Sequence, residues 1–390
     1  MKIVVSVKLQ PTLEVASALR DELHGCNQGA NWVSEVAYAT YRLKAREYAL
    51  RKLVYTELRE RGIKSAAAQQ LIKKVVDAYT TLRANIKAGN LGPEGSKRRV
   101  KAESKPIVFR EDAAQAYDHR NMGWDIDAQT VAITTRTGRM KGIPFVCSPE
   151  ALKTLAQYRK GEADLLCCDG SWYVIATCDV PEPEVYKPDG FIGVDLGIEN
   201  IATTSTGYQA AGRKLNRYRK RQLFLRQKLQ KKGTKSAKRL LKKRSRKEAR
   251  HVKNTNHIVS KTIVTEAERT GRGICLEELK GIRNRVRLRK PQRVALHSWS
   301  FAQLGDFIVY KAKRAGVPLV FVNAAYTSQM CCECQHIDKC NRVDQGLFTC
   351  RGCGVVAHAD RNASHNLAQR GETVWNAGRE SRVPATRSQV

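Results

Sequence analysis

Hydrophobic and polar positions recur along this chain with two different spacings. Residues 1–9 alternate as a β-strand does, and Pro11 ends that run. From about residue 12 to 88, apolar side chains recur every three or four positions, as at Leu71 and Val75. This spacing predicts amphipathic helices. Their opposite faces are rich in Lys and Arg, which indicates either an ordinary solvated surface or a bundle that contacts nucleic acid.

Extended patterns return after residues 89–99, whose composition is typical of a linker. The stretch 106–182 favours β-structure, interrupted by a helical piece at 149–159. Asp169-Gly170 joins two apolar runs within it, which is a strong hairpin signal. Because β-patterns flank the helical block on both sides, we predict a small β-barrel with the helices inserted after its first strand.

An apolar run in the second half of the chain ends in a single acid. The segment Phe191–Gly197, FIGVDLG, predicts a short buried strand that leads to Asp195. Residues 199–207 predict a second strand that pairs with it. A carboxylate at such a position is costly to bury without a positive partner. Asp195 is therefore either a turn residue or part of a charged site.

A second apolar run, residues 271–279, also ends in acid. Glu277 and Glu278 are adjacent there. Successive side chains of a strand point to opposite faces, so only one of the two can point the same way as Asp195. The alternation alone leaves the choice between them open.

Charge then narrows the class of partner to nucleic acid or an anionic membrane. The 390 residues carry a net charge of +33. Residues 213–253 contain 20 Lys or Arg and one acid, yet they keep apolar helical spacing and break at 233–236. We predict an ordered basic helical hairpin along nucleic-acid phosphates, rather than a solvated or disordered charge run. The candidate contacts are Arg217, Arg219, Lys220, Arg221, Lys228, Lys231, Lys232, Lys235, Arg239, Lys243 and Arg244.

The cysteines cluster near the C-terminal end. Six of the twelve fall between residues 331 and 353. Four of these form two Cys-x-x-Cys pairs: Cys331, Cys334, Cys350 and Cys353. This spacing predicts a zinc ribbon with one structural zinc ion, because four thiolates leave no open coordination position.

Two further features of the cluster affect the ligand assignment. Cys332 and Cys340 are spare, and either could substitute as a ligand, although neither completes another pair. Gly354 suits the turn behind the second pair. Gln335 directly follows the first pair, at a position where glycine would adopt the turn conformation more easily.

A third acid follows the cysteines. Asp360 opens a predicted helix, where an N-cap is its ordinary explanation. Taken with Asp195 and Glu277, it suggests a site where carboxylates hold Mg²⁺, most simply two ions, to act on a phosphodiester. The sequence contains no competing P-loop, dinucleotide fingerprint or Gly-x-Ser-x-Gly elbow.

The second half of the chain resembles the TnpB family of RNA-guided endonucleases, which is related to the type V CRISPR effectors. The matching segments are FIGVDLGIEN at 191–200, CLEELKGIR at 275–283, HSWSFAQL…YKAKRAG at 297–316, AAYTSQMCCEC…FTCRGCG at 324–354 and HADRNASHNLAQRG at 358–371. The N-terminal half matches only loosely.

The resemblance implies a multidomain α+β protein. An RNase H-like (RuvC) α/β nuclease domain would carry the zinc ribbon, and an N-terminal β-barrel wedge domain would carry a helical recognition bundle. The catalytic, magnesium-binding residues would be Asp195, Glu277 and Asp360, which selects Glu277 over Glu278. The expected domains are the wedge (1–11 and 89–185), the recognition domain (12–88), the nuclease (186–324 and 358–371, with the hairpin at 213–253), the ribbon (325–357) and a disordered tail (372–390).

The function that we expect is RNA-guided DNA cleavage by metal-dependent phosphodiester hydrolysis, associated with a transposable element or a CRISPR-like system. The partners would be a guide RNA and target DNA, and the protein would act as a monomer or homodimer. Two alternatives remain: a nuclease-inactive RNA-guided repressor, and a guide-free, structure-selective nuclease. No apolar run approaches the length of a membrane helix, and the first residues lack a secretory signal. We therefore expect a bacterial cytoplasmic, nucleoid-associated protein that does not bind membranes.

Overall fold

The computed structural model divides into two compact units, Met1–Pro181 and Glu182–Val390. Within them it describes residues 1–278, 301–323 and 325–378, without the side chains of Ser245 and Phe301. Parts of the predicted nuclease domain, at 279–300 and Ala324, lie outside the described residues. Residues 379–390 of the predicted tail also lie outside them.

A seven-stranded sheet dominates the first unit. Its strands are β1 (Lys2–Leu9), β2 (Gln115–Tyr117), β3 (Met122–Asp125), β4 (Thr130–Thr135), β5 (Gly138–Val146), β6 (Arg159–Cys168) and β7 (Ser171–Asp179). The order is β2-β6-β7-β1-β5-β4-β3. No pairing of β2 with β3 closes the sheet within the described residues, so the predicted barrel is a near-barrel. The Asp169-Gly170 hairpin is confirmed, with φ values of 52° and 77° at its two turn residues.

The helices of the first unit lie mainly between β1 and β2, as predicted. They are α1 (Leu13–Tyr41), α2 (Glu47–Glu60), α3 (Ser65–Lys87) and α4 (Lys97–Glu103), followed by α5 (Pro149–Tyr158) between β5 and β6. Helix α4 shows that the linker predicted at 89–99 ends earlier than expected. The bundle has its own apolar core, which includes Leu50, Val54 and Leu71.

The second unit contains a five-stranded mixed sheet. Its strands are β8 (Phe191–Asp195), β9 (Asn200–Thr204), β10 (Gln209–Ala211), β11 (Gly273–Glu277) and β12 (Leu319–Val322). They are arranged in the order β10-β9-β8-β11-β12. Strands β8, β11 and β12 are parallel, while β9 and β10 are antiparallel to their neighbours. The first four residues of both β8 and β11 are buried, as expected for strands covered on both faces.

Two helices between β10 and β11 form the predicted basic hairpin. They are α6 (Arg213–Lys232) and α7 (Lys235–Arg269). Gly233 ends α6 with a φ of 64°, and the hydroxyl of Thr234 accepts a hydrogen bond from the Ala237 amide to begin α7. The break predicted at 233–236 is therefore confirmed, with a glycine stop followed by a threonine cap.

The remaining elements carry the cysteine cluster and cover the sheet. They are α8 (Phe301–Ala315), a short 3₁₀ turn (Lys339–Asn341), β13 (Leu347–Thr349), β14 (Val356–His358) and α9 (Ala359–Asn376). Since α9 continues to Asn376, the tail predicted from residue 372 was placed too early. A search of the described residues finds no helix that is long and apolar enough to cross a membrane.

Candidate active site and metal centre

The sheet of the second unit brings Asp195 and Glu277 to the same edge. Strands β8 and β11 pair in parallel, with Val194 opposite Leu276. Each acid is the next residue and the last of its strand, so the two carboxylates lie at neighbouring strand ends. Both are half-buried, after four buried positions in each strand.

Asp360 reaches this edge from helix α9, in the helix's first turn. The helix approaches β8 very closely: a Cβ built on Gly193 would lie 1.9 Å from the Ser364 carbonyl oxygen. Asn200 donates a hydrogen bond of 2.9 Å to Oδ2 of Asp360. The Arg342 guanidinium lies 3.7 Å from the other carboxylate oxygen. Asp360 is thus contacted both by Asn200 of strand β9 and by Arg342, which lies between the two cysteine pairs.

The charges of two of the carboxylates act on the third, Asp195. Burial and, to a smaller extent, the negative charges of Glu277 and Asp360 together raise the pKa of Asp195 to about 8, while Arg342 opposes the shift. A carboxylate in this environment resists ionisation unless a cation is added. The site therefore carries the charge pattern of a cation-binding site.

Glu277 and Glu278 have different surroundings. Glu277 is half-buried, and its Oε1 accepts a hydrogen bond of 3.1 Å from the Thr327 hydroxyl. Burial raises the pKa of Glu277, while this hydrogen bond and the charge of Arg370 oppose the shift. Glu278 is exposed and donates its backbone amide to Val322. The structure thus places Glu277, and not Glu278, beside Asp195.

The four predicted thiols form one cluster. The sulfur atoms of Cys331, Cys334, Cys350 and Cys353 all lie within 4.8 Å of one another. The backbone amides of Gly352 and Cys353 donate to the sulfur of Cys350, at 3.3 and 3.4 Å. The amide of Cys353 contributes most to lowering the pKa of Cys350, to about 6, which favours its thiolate. Such a cluster can hold a metal ion.

The turns behind the two cysteine pairs have the same form. Gln335 and Gly354 both adopt left-handed backbone, with φ values of 62° and 75°. Each donates its amide to the carbonyl of the first cysteine of its pair. The glutamine therefore accepts a conformation that glycine adopts more easily. The spare thiols of Cys332 and Cys340 do not belong to the four-thiol group.

The hairpin residues differ in exposure. Nine of the eleven predicted contacts are exposed, whereas Arg219 and Arg244 are partly buried. Arg244 donates to Gln222 at 3.1 Å. Within the described residues, Nε and Nη2 of Arg219 are buried without a hydrogen-bond partner. Burial lowers the pKa of that guanidinium.

Sequence reasoning missed several residues that surround the carboxylates, namely Asn200, Thr327, Arg342 and Arg370. Asn200, Thr327 and Arg370 lie inside the matching segments and Arg342 lies between the two cysteine pairs, but no local pattern distinguishes them. Asn200 and Asp360 are 160 positions apart. Only the packing of distant segments reveals these neighbours.

Comparisons with known proteins find a family model and several relatives that match parts of the chain. Residues 301–367 match the family described as Cas12f1-like, TNB domain. The CRISPR-associated endodeoxyribonuclease Cas12f1 of Sulfoacidibacillus thermotolerans is 42% identical over 115 residues, which cover 29% of this chain and 26% of that relative. The chain thus matches only about a quarter of that relative's length.

Two further similarities extend the match. A solved Cas12f1–sgRNA–target DNA complex contains a chain with a similar fold, with a TM-score of 0.58 and 15% identity over 92% of this chain and 83% of that one. The TnpB-like protein MJ0751 of Methanocaldococcus jannaschii is 30% identical over 212 residues, which cover 50% of this chain and 75% of the relative. On this similarity, the chain belongs to the TnpB-like family.

Proposed function

We propose that this protein is an RNA-guided DNA endonuclease with a RuvC-type site formed by Asp195, Glu277 and Asp360. The observation that carries the proposal is that Glu277 and Asp360 both lie close enough to Asp195, at one edge of the mixed sheet, for their charges to act on it. The endodeoxyribonuclease name of one relative, and the guide RNA and target DNA in the similar complex, support the substrate class.

The three acids fit a hard divalent cation such as Mg²⁺, because they offer oxygen donors and excess negative charge. When bound, magnesium ions would supply the positive charge that activates a water molecule and stabilises the leaving oxygen of a phosphodiester. Asp195, Glu277 and Asp360 would hold two such ions. Asn200 orients Asp360, and Arg342 partly compensates the carboxylate charge.

The four thiols fit zinc. Bonds of about 2.3 Å in a tetrahedron imply sulfur–sulfur separations of about 3.8 Å. The observed separations are 3.7 Å for Cys331–Cys353 and 3.5 Å for Cys334–Cys350. Four thiolates would hold one structural zinc ion, which leaves the chemistry to the carboxylates.

The basic hairpin supports binding to a nucleic-acid backbone. Helices α6 and α7 present nine exposed predicted cations, and attraction to phosphates by such a surface does not depend on sequence. Target selection would then come from base pairing with the guide RNA, as in related effector complexes.

The proposal is tested by replacing Asp195 with Asn in protein purified with its guide RNA. We expect Mg²⁺-dependent cleavage of a target plasmid to fall by at least about a thousandfold, while RNA binding persists, because the substitution keeps the shape and removes the charge. Glu199→Gln is the matched control, since Glu199 is an exposed acid four residues away. Equal cleavage by the Asp195 variant and the wild type would contradict the assignment. Specific binding without any wild-type cleavage would instead favour a repressor.

A further inference from the structure

A short segment connects the cysteine cluster to Glu277. Residues 325–330 lead from the end of β12 to the first thiol, Cys331. Within this segment Thr327 is almost fully buried, with 3% of its surface exposed. Its hydroxyl donates the hydrogen bond of 3.1 Å to Oε1 of Glu277. The orientation of this acid therefore depends on a side chain from outside its own sheet.

Helix α9 holds that segment through two buried asparagines. The Asn366 side-chain amide donates to the carbonyl oxygens of Thr327 and Met330, at 2.9 and 2.7 Å. Asn362 donates to the same Met330 carbonyl and accepts a hydrogen bond of 3.0 Å from the Cys332 amide. The helix that carries Asp360 thus also fixes the backbone of Thr327.

The cost of this arrangement indicates a specific role. Asn366 has no exposed surface, and within the described residues its Oδ1 lacks a hydrogen-bond partner. A buried polar atom without a partner is destabilising. The side chain is nevertheless positioned so that its amide holds two carbonyls of one segment.

We propose that Thr327 is a positioning residue for Glu277, and that Asn366 positions Thr327, so that helix α9 aligns two of the three acids. The inference rests on the proposed function of the carboxylate site. Arg370 also acts on Glu277 electrostatically, but a charge attracts from many directions, whereas a hydrogen bond fixes one. Partners of metal-binding side chains orient them in this way.

The test measures Mn²⁺ binding by electron paramagnetic resonance, using the whole 390-residue chain, loaded with zinc and freed of nucleic acid. Thr327→Val keeps the shape of the side chain and removes its hydroxyl. We expect its Mn²⁺ affinity at the Asp195-dependent site to fall about 10- to 100-fold. Thr327→Ser keeps the hydroxyl, so its Mn²⁺ affinity should remain within about threefold of that of the wild type. Thermal unfolding confirms that each variant is folded, and Thr327→Ala replaces the valine variant if that one fails to fold.

A double-mutant cycle tests the role of Asn366. Asn366→Ala should weaken Mn²⁺ binding, and combining it with Thr327→Val should add little, because both substitutions interrupt one path to Glu277. Additive losses would overturn the part of the inference that concerns Asn366. Wild-type affinity in Thr327→Val, or equal losses in the serine and valine variants, would overturn the role of Thr327.

The binding readout separates this inference from the proposed function. Wild-type protein that binds Mn²⁺ but cleaves no target would contradict the nuclease proposal, while the comparison of the Thr327 variants would still decide the positioning role. Wild-type protein with no Asp195-dependent Mn²⁺ binding would overturn both.

Discussion

Two aspartates of this chain have pKa values displaced in opposite directions. Burial and two neighbouring carboxylates raise the pKa of Asp195 to about 8. Burial would also raise the pKa of Asp118, but hydrogen bonds from Arg120 and Gln70 lower it to about 2. Donors stabilise the charged form of Asp118, whereas other acids destabilise that of Asp195. Asp118 therefore contributes to stability, while Asp195 is suited to binding a cation.

This difference predicts a pH-dependent effect of Asp118→Asn. The folded-state pKa is below the ordinary value of 3.8, so the stabilisation is present above about pH 4 and is lost as the pH falls towards 2. We expect the free energy of unfolding of the variant to be about 1–2 kcal/mol lower than that of the wild type at pH 7, a value that allows for screening of the Asp118–Arg120 interaction by solvent. Urea denaturation at pH 7 and pH 3 measures the difference, which should shrink at pH 3. Asp127→Asn, at an exposed aspartate of the same unit, is the control. A loss that does not depend on pH would contradict the explanation.

Among the elements, helix α9 and strand β8 make a contact that only glycine permits. A Cβ on Gly193 would lie 1.9 Å from the Ser364 carbonyl oxygen and 2.5 Å from the Ala368 amide nitrogen. Both atoms belong to the backbone and cannot rotate away. Asp195 and Asp360 lie on these two elements, so their separation depends on the contact.

Gly193→Ala should therefore reduce both stability and cleavage. We expect the free energy of unfolding to fall by about 1–3 kcal/mol, which is typical of overpacking. We also expect a lower cleavage rate, because α9 must move away from β8. Gly305→Ala in α8 is the matched control, since a Cβ there meets no atom of the described residues within 4 Å. The free energy of unfolding of that variant should rise by about 0.5–1 kcal/mol, because alanine favours a helix more than glycine does. Thermal unfolding measures both variants, and equal midpoints would refute the packing argument.

The basic hairpin is held together by pairs across its two helices. Arg226 and Glu248 form an ion pair of 2.8 Å, and the rings of Tyr218 and His251 lie 4.5 Å apart. Exposed cations near the turn are left to face solvent. This division between internal pairs and exposed charges allows the two to be tested separately.

Replacing Lys228, Lys231, Lys232 and Lys235 with Gln should weaken nucleic-acid binding and reduce its salt dependence. If each lysine neutralises one phosphate, the slope of log affinity against log salt falls by about 3–4. Fluorescence anisotropy over a salt series measures the slope. The control is Arg226→Gln combined with Glu248→Gln, which removes an ion pair without changing net charge. An unchanged slope in the lysine variant would argue against phosphate contact by this turn.

At the scale of the whole molecule, the cysteine cluster has little apolar support of its own. Its buried core consists of Cys331, Phe348, Cys350 and Ala359, with Val355 packed against them. The first unit has separate and larger cores. Folding around the thiols should therefore depend on a metal, whereas folding of the first unit should not.

Removing zinc with a chelator should consequently unfold residues 325–358 locally. We expect amide hydrogen exchange there to accelerate at least about tenfold, while exchange in β1–β7 stays unchanged. Cys350→Ser should reproduce the effect, and Cys340→Ser should not, because Cys340 lies outside the cluster. Acceleration throughout both units would show that the metal stabilises more than its own segment.

Local patterns in the sequence determined most of the elements. Alternation and helical spacing predicted strand β1 and the helices after it. Asp169-Gly170 and Gly233-Thr234 marked a hairpin and a helix break. These features depend on backbone preferences of a few neighbouring residues, so a single sequence contains them. The paired cysteines likewise have a spacing that reflects one local fold.

Tertiary structure alone decided which distant residues meet. The alternation of β11 left open which of Glu277 and Glu278 points the same way as Asp195. Before the structure, only the resemblance to the TnpB family favoured Glu277. The parallel pairing of β8 with β11 and the hydrogen bond from Thr327 then place Glu277 beside Asp195. The contact of Asn200 with Asp360 joins residues 160 positions apart. Such contacts, and the raised pKa of Asp195, arise from burial and from charges brought together by packing. No preference of nearby residues encodes them, which is why the carboxylate site could be suspected from the sequence but required the fold to be assembled.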